Sequence, residues 1–462
     1  MLTGILSMAL TLSSAGFPQL EEERPLTRLE VVGVIPPYLE GTLVRNGPAL
    51  FEKGEEAVGH PFDGLAMLHA FSFRDGRVDY RNRFLRTTPY EAFLKEGSLS
   101  FHGFATDPCG KIFAQAHTRL IPNANVSIAQ IANETVAMTE IPLPVRFDLQ
   151  TLETLGLLQY ADHLPKEDCF ESAHPQRDPD TGDLYNYQIL FTPSPVYQIY
   201  RIPKGAKERV LLATLPVDKP SYMHSFALTE HALILAQFPL VVDPQTAASG
   251  APFITAFRWE PERGTRYLII DRQTGELKGE IQGEPYFAFH HINAHEAKGA
   301  YHLDLVSFPD ATVLFGGPPS REKRGVRRVT LHEGKATSTM ILERPCEMPR
   351  IAKRVNGKPY QFAYLADYRM VPSPDASPPL IKLNVETGEV VTWSEKGCQP
   401  GEPVFVAKPG ATREDEGVVL AVILDSHRGS SFLLVLDGET FQEIGRAYAP
   451  HPIPIGLHGD YI

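Results

Sequence analysis

One short turn recurs along the chain, and it limits the possible folds more than any other feature. It appears as Asp178-Pro179-Asp180-Thr181-Gly182, Asp271-Arg272-Gln273-Thr274-Gly275 and Asn384-Val385-Glu386-Thr387-Gly388. Weaker copies stand at Asp148-Leu149-Gln150-Thr151 and Asp437-Gly438-Glu439-Thr440. Most follow a strand-like apolar run, such as residues 266–270, and precede another, such as 388–393. The Asp or Asn side chain accepts from nearby backbone N–H groups, and the glycine takes a positive φ. Arg74-Asp75-Gly76-Arg77 separates two further runs as a two-residue hairpin would. Antiparallel meanders repeated in this way predict an all-β chain. Their irregular spacing argues against a WD40-type array and leaves a propeller, a large barrel or a sandwich.

The 40 prolines and 36 glycines among 462 residues supply the turns such a fold needs. Length alone suits about three domains. No linker is visible, however, because strand signals resume on each side of the proline-rich stretches at 316–321 and 371–379. Residues 26–462 therefore read as one unit. Helical signals are confined to 89–97 and 125–131. Residues 1–25 read as a flexible arm, since their apolar stretch lacks the basic start of a signal peptide and is too short to span a bilayer. A net charge of -12 excludes a nucleic-acid partner held by a general electrostatic footprint. The four cysteines (Cys109, Cys169, Cys346 and Cys398) form no CxxC pair, so a thiolate zinc site is not suggested. They suit buried thiols in a reducing compartment. The expected location is the cytoplasm, with room for peripheral membrane contact.

HExxH, GxSxG, Walker and GxGxxG motifs are absent. Among the sixteen histidines, four share a context of small or apolar neighbours beside a strand-like run: His174, His224, His290 and His458. Strand ends converge on a propeller axis, where separate blades can each supply one imidazole. On spacing alone, each is equally compatible with an ordinary hydrogen-bonded histidine. His290 and His291 are adjacent, so in a strand only one of them can point inward.

These residues stand within a longer set of motifs. Arg45-Asn46-Gly47-Pro48, His60-Pro61-Phe62-Asp63-Gly64, Met67-Leu68-His69 and Tyr80-Arg81-Asn82-Arg83-Phe84 come first. His174-Pro175-Gln176-Arg177, Phe289-His290-His291-Ile292-Asn293-Ala294-His295-Glu296, Gly401-Glu402-Pro403-Val404-Phe405 and Leu457-His458-Gly459 follow in order. From about Leu26 to Ile462 the chain resembles the carotenoid cleavage oxygenases, a family that includes stilbene dioxygenases and the animal retinoid isomerase. The resemblance implies a seven-bladed β-propeller with a helical cap over the iron-bearing face. It implies one Fe(II) held by His174, His224, His290 and His458, with His290 selected over His291 by the family pattern of Phe-His, two residues, then Asn-Ala. Three glutamates that orient the ligands match Glu140, Glu347 and Glu402. The chain departs from the family pattern at Gln176, where a second histidine is common, and at His295, where an aromatic residue is common.

The resemblance also implies a dioxygenase that cleaves a C=C bond of a carotenoid or apocarotenoid to aldehydes, with dioxygen and an apolar polyene as partners. The motifs around Phe289 and at Thr392-Trp393-Ser394-Glu395 lean toward retinal-forming relatives, with central 15,15′ cleavage as one outcome. Two alternatives stand beside this reading. A stilbene-type phenolic alkene is disfavoured by Thr139, because stilbene-cleaving relatives carry a lysine there. A non-oxidative retinoid isomerase would show no oxygen uptake. Phe62, Tyr222, Phe226, Phe287 and Phe289 are candidates to line a substrate tunnel, and each is as well suited to core packing. Residues 233–242 are a candidate lipid-facing patch, with Arg321, Lys323, Arg324, Arg327 and Arg328 as a candidate headgroup contact.

Overall fold

The computed structural model describes residues 19–54, 56–99, 103–106, 122–166, 169–242, 253–315, 323–368 and 373–462. Seven antiparallel sheets follow one another along the chain as the blades of a β-propeller. Blade II spans residues 127–157, blade III 169–216, blade IV 227–283, blade V 287–343 and blade VI 347–393. Blades I and VII close the ring by combining distant segments. In blade I the C-terminal strand Gly459–Tyr461 pairs with Gly41–Leu50, and Arg24–Arg28 forms the far edge. In blade VII the strand Glu30–Gly33 pairs with Glu443–Tyr448. The early strands Arg24–Arg28 and Glu30–Gly33 are thus built into sheets with segments from the far part of the chain.

The burial gradient within each blade explains the sequence pattern. In blade V the innermost strand Phe287–Ala297 and the next, Ala300–Phe308, are largely buried, whereas the outermost, Lys335–Glu343, alternates exposed and half-buried residues. Inner strands pack on both faces against neighbouring blades and read as apolar runs, and rim strands meet water on one face. The recurrent turns form as their composition requires. Asp271 Oδ1 accepts from the backbone N–H groups of Gln273 and Thr274, both at 2.9 Å, and Gly275 takes φ +75°. A Cβ on Gly275 would lie 2.0 Å from the Leu212 carbonyl oxygen, so no other residue fits. In the weaker copies Leu152 (φ +60°) and Phe441 (φ +59°) occupy the same position. Both are buried, and their apolar burial offsets a backbone strain of about 1–2 kcal/mol. The hairpin at Asp75 and Gly76 has positive φ at both residues, as a primed turn demands.

Several expectations are corrected. Residues 125–131 are not helical: Ser127–Ile131 is the innermost strand of blade II, paired with Glu134–Thr139. Residues 233–242 are not a lipid-facing patch. They lie in the buried strands Ala232–Gln237 and Leu240–Val242, between blade neighbours. Three residues of the basic cluster are engaged within the protein. Arg327 is buried against Glu284, Arg328 forms a two-pronged pair with Asp304, and Arg324 lies over the Phe308 ring. Arg321 and Cys109 fall outside the described residues. The arm read over 1–25 lies outside them up to residue 18, but Leu20 is already buried and donates to the Ala49 carbonyl.

The expected helix forms at Thr88–Glu96, capped by Thr87 and closed by Gly97 in the left-handed conformation. It is the one α-helix among the described residues. The described residues also include 3-10 turns such as Pro61–Asp63 and Phe253–Ala256. Among the described residues, no helix is long and apolar enough to cross a membrane.

Candidate metal centre

The blades carry their functional side chains inward one apiece. Blade III presents His174 between its strands Cys169–Glu171 and Gln176–Arg177. Blade IV presents His224 just ahead of Ala227–Leu228, and blade V presents His290 within Phe287–Ala297, where the ladder shifts register. Blade I presents His458 just ahead of Gly459–Tyr461. The remaining three blades each supply a carboxylate: Glu140 from blade II, Glu347 from blade VI and Glu402 from blade VII. The local reason is common to most of them. A residue at a strand end or bulge leaves the ladder and is free to turn toward the axis.

Four imidazoles converge there. One ring nitrogen from each lies within 4.8 Å of all the others, the only such group of metal-binding type among the described residues. His174 Nε2 is 2.9 Å from His224 Nε2, and His290 Nε2 is 3.1 Å from His458 Nε2. The opposite nitrogens of three rings face carboxylates. His224 Nδ1 lies 2.5 Å from Glu140, His290 Nδ1 2.6 Å from Glu347 and His458 Nδ1 2.9 Å from Glu402. An ionised carboxylate only accepts, so each of these rings donates from Nδ1 and keeps its lone pair on Nε2.

The lone pairs of His290 and His458 are therefore aimed at one another across 3.1 Å, which is repulsive unless a cation lies between them. That is also the separation of neighbouring nitrogens around an ion with metal–nitrogen bonds of about 2.1 Å. The donor set fits a divalent transition metal. His174, His224, His290 and His458 are brought together as ligand candidates, and Glu140, Glu347 and Glu402 stand behind three of them. His291 points elsewhere, with Nδ1 2.9 Å from Ser225 Oγ and Nε2 without a partner.

For His174 and His458 the surroundings favour neutral imidazole. Burial lowers His174 well below the ordinary histidine value, and its three neighbouring rings add to the shift. His458 falls to about 4, because burial outweighs the attraction of Glu402. Burial works to raise both Glu347 and Glu402. His290 and the Met348 N–H overcome it for Glu347, and Arg350, Arg45 and His458 overcome it for Glu402, so both remain low. Neutral imidazoles backed by anionic carboxylates are the form that binds metal.

A set of serines absent from the sequence reading ties this ring together. Ser127 donates to the Ala173 carbonyl at 2.5 Å, Ser172 to the His224 carbonyl at 2.7 Å and Ser225 to the Phe289 carbonyl at 2.8 Å. Each reaches from one blade to the next, at or directly ahead of a ligand candidate. Ser172 and Ser225 stand within two residues of a singled-out histidine, the only signal that could have marked them. The substituted family positions are also placed. Gln176 donates to the Phe226 carbonyl and accepts from Asn356, and His295 stacks on His302.

Aromatic rings gather beside the centre. Phe289 lies 5.7 Å from the His224 ring and 6.4 Å from Phe62, and Phe62 lies 5.5 Å from Phe104. Phe253 stands 6.3 Å beyond Phe104. Phe62, Phe104 and Phe253 are half-buried. Tyr222 bridges the two sets, donating to Glu140 at 3.0 Å while touching Phe104, Phe253 and Phe287. Phe226 packs instead on Tyr187.

A propeller whose axis holds four histidines, three of them backed by glutamates, defines a class of metalloenzyme rather than a binding module. The model of the retinal pigment epithelial membrane protein family matches residues 16–462, and the chain belongs to that family, the carotenoid oxygenases. It is 29% identical to the beta,beta-carotene 15,15'-dioxygenase of Gallus gallus, over 96% of this chain and 97% of that relative. It is 30% identical to the mitochondrial carotenoid-cleaving dioxygenase of Macaca fascicularis, over 94% and 91%. The carotenoid isomerooxygenase of Galleria mellonella is also 30% identical, over 94% and 93%. Among solved structures, cobalt-substituted Synechocystis apocarotenoid oxygenase superposes with a TM-score of 0.84 at 26% identity, covering 97% of this chain and 98% of its own.

Proposed function

We propose that this protein is an Fe(II)-dependent dioxygenase that cleaves one C=C bond of a carotenoid or apocarotenoid to two carbonyl products. One observation carries the reading: three Nε2 lone pairs, fixed by carboxylates at Nδ1, converge with a fourth imidazole directly beside a row of phenylalanines. His174, His224, His290 and His458 would hold the iron, which when bound supplies the activation of dioxygen that no side chain provides. Glu140, Glu347 and Glu402 retain the Nδ1 protons, so the ligating nitrogens keep one tautomer and one orientation. The ligand candidates come from four blades, so the seven blades act as one unit.

Phe62, Phe104, Phe253 and Phe289 offer an elongated apolar substrate a surface without hydrogen-bonding demands, and they exclude water from the reacting bond. Thr139, ahead of Glu140, offers no cation for a phenolate, which favours a polyene over a hydroxylated stilbene. The substrate partitions into lipid, so a cytoplasmic enzyme touching a membrane surface is the location this reading supports. Central 15,15′ cleavage is the outcome favoured by the relatives' names.

Iron-loaded protein is incubated with β-carotene, a β-apocarotenal and resveratrol, with product masses and oxygen uptake recorded. The reading predicts two carbonyl fragments of a carotenoid substrate with matching oxygen consumption. Cleavage of resveratrol alone, or product without oxygen uptake, would overturn it.

A further inference from the structure

The three carboxylates behind the imidazoles have unequal surroundings. Glu140 receives the Tyr222 phenol, and Glu347 receives the Met348 N–H while its Oε1 has no partner. Glu402 alone meets guanidinium groups. Arg350 approaches its Oε1 at 3.5 Å, and Arg45 forms a buried ion pair with its Oε2. Arg45 is 3% exposed and makes a second contact, donating to the Leu457 carbonyl at 2.9 Å. That carbonyl directly precedes His458. The next residue, Asn46, completes the grip: its N–H donates to the His458 carbonyl at 2.9 Å, and the Leu457 N–H donates back to Asn46 at 3.0 Å. One guanidinium fork thus holds both the backbone ahead of His458 and the carboxylate behind its ring.

His458 has particular need of this. His174, His224 and His290 lie in mid-chain, with blade strands on both sides. His458 is followed by Gly459–Tyr461, a strand of three residues that pairs with Leu43 to Arg45 at the edge of blade I. A strand of three residues makes few ladder hydrogen bonds and opens readily unless it is tied down.

We propose that Arg45 is the positioning residue for His458, and that through it metal binding on the axis and docking of the C-terminal strand on blade I become one event. The proposal rests on the reading of the four histidines as a metal centre. It requires a planar fork, because a lysine ammonium delivers a point charge without the fixed two-pronged geometry. A cavity lies against Arg45, lined also by His69, Gln399, Gly401 and Gly456. Truncating Arg45 would open its site into that space and leave room for a free guanidinium ion.

The test titrates Co(II) into metal-free full-length protein, reading visible absorption for ligand field and far-UV circular dichroism for fold. Binding by the unmodified protein checks the underlying metal reading, and its failure would sink that reading whatever Arg45 does. Given binding, Arg45→Ala should remain folded, bind Co(II) about 10–100-fold more weakly and show altered bands. Millimolar methylguanidinium should restore both affinity and bands. Unaltered affinity in folded Arg45→Ala, or a loss that methylguanidinium leaves unrepaired, overturns the proposal. Should Arg45→Ala not fold, Arg45→Lys decides: weaker binding with shifted bands supports the fork, and unmodified affinity and bands refute it.

Discussion

Glu171 is fully buried, accepts from the Tyr200 hydroxyl at 2.6 Å, and has a second carboxyl oxygen without a partner. Burial pushes its pKa up to about 7, against the opposing pull of Tyr200 and Arg209. A folded value above the ordinary 4.5 means that the fold favours the protonated form. Stability from this group is complete below about pH 4.5 and is lost as pH rises through about 7. Glu171→Gln should remove that slope and gain up to about 3 kcal/mol at pH 8, read by urea unfolding at several pH values. An unchanged slope would contradict the assignment. Beside the centre, Glu140→Gln should weaken metal binding about 10–100-fold by iron titration, because a neutral amide oxygen is the poorer acceptor for His224. Affinity equal to that of the parent would show the contact to be incidental. The four histidines share a local context that set them apart from the other twelve, but only the family resemblance marked them as ligand candidates. The carboxylates were not legible from spacing, since Glu140 and His224 lie 84 positions apart and only the family resemblance joined them.

Among the elements, the turns were the most readable part of the chain, because an Asp acceptor and a positive-φ residue four positions later leave a local mark. A further copy at Asp425 went unread. Its Oδ1 accepts from the His427 and Arg428 N–H groups, and Gly429 takes φ +65°, but arginine stands where the other copies have threonine. Residues 125–131 misled for another reason. Apolar residues in so short a run satisfy helix and strand periods alike, and pairing with Glu134–Thr139 decides between them. The apolar run at 233–242 could not be told from a surface patch until neighbouring blades were seen to cover it. The serine ties were invisible because they act between blades. Ser225→Ala should cost about 1–3 kcal/mol in denaturant unfolding, since it strips a partner from both the Phe289 carbonyl and the His291 N–H. A cost below about 0.5 kcal/mol would mean that water replaces the hydroxyl.

For the whole molecule, the seven blades and the seven inward residues describe one arrangement. No blade is spare, and the ligand candidates span from His174 to His458, so an ion on the axis ties together blades that lie far apart along the chain. Metal removal by a chelator should therefore lower global stability, by about 2.7 kcal/mol relative to protein held with free metal at 100-fold over its Kd. Calorimetry that shows the same transition with and without chelator would contradict this. The sheet count, the closure of the ring by pairing of early with late strands and the pairing of each carboxylate with its imidazole are long-range facts that no local pattern encodes.

The most direct measurement is the iron content of the purified protein and of five single variants. His174→Ala, His224→Ala, His290→Ala and His458→Ala should each lose most of the iron. His291→Ala, whose ring turns away toward Ser225, should retain the full complement of a single iron per chain. Iron retained in any of the first four, or lost in His291→Ala with the fold intact, would contradict a four-histidine centre.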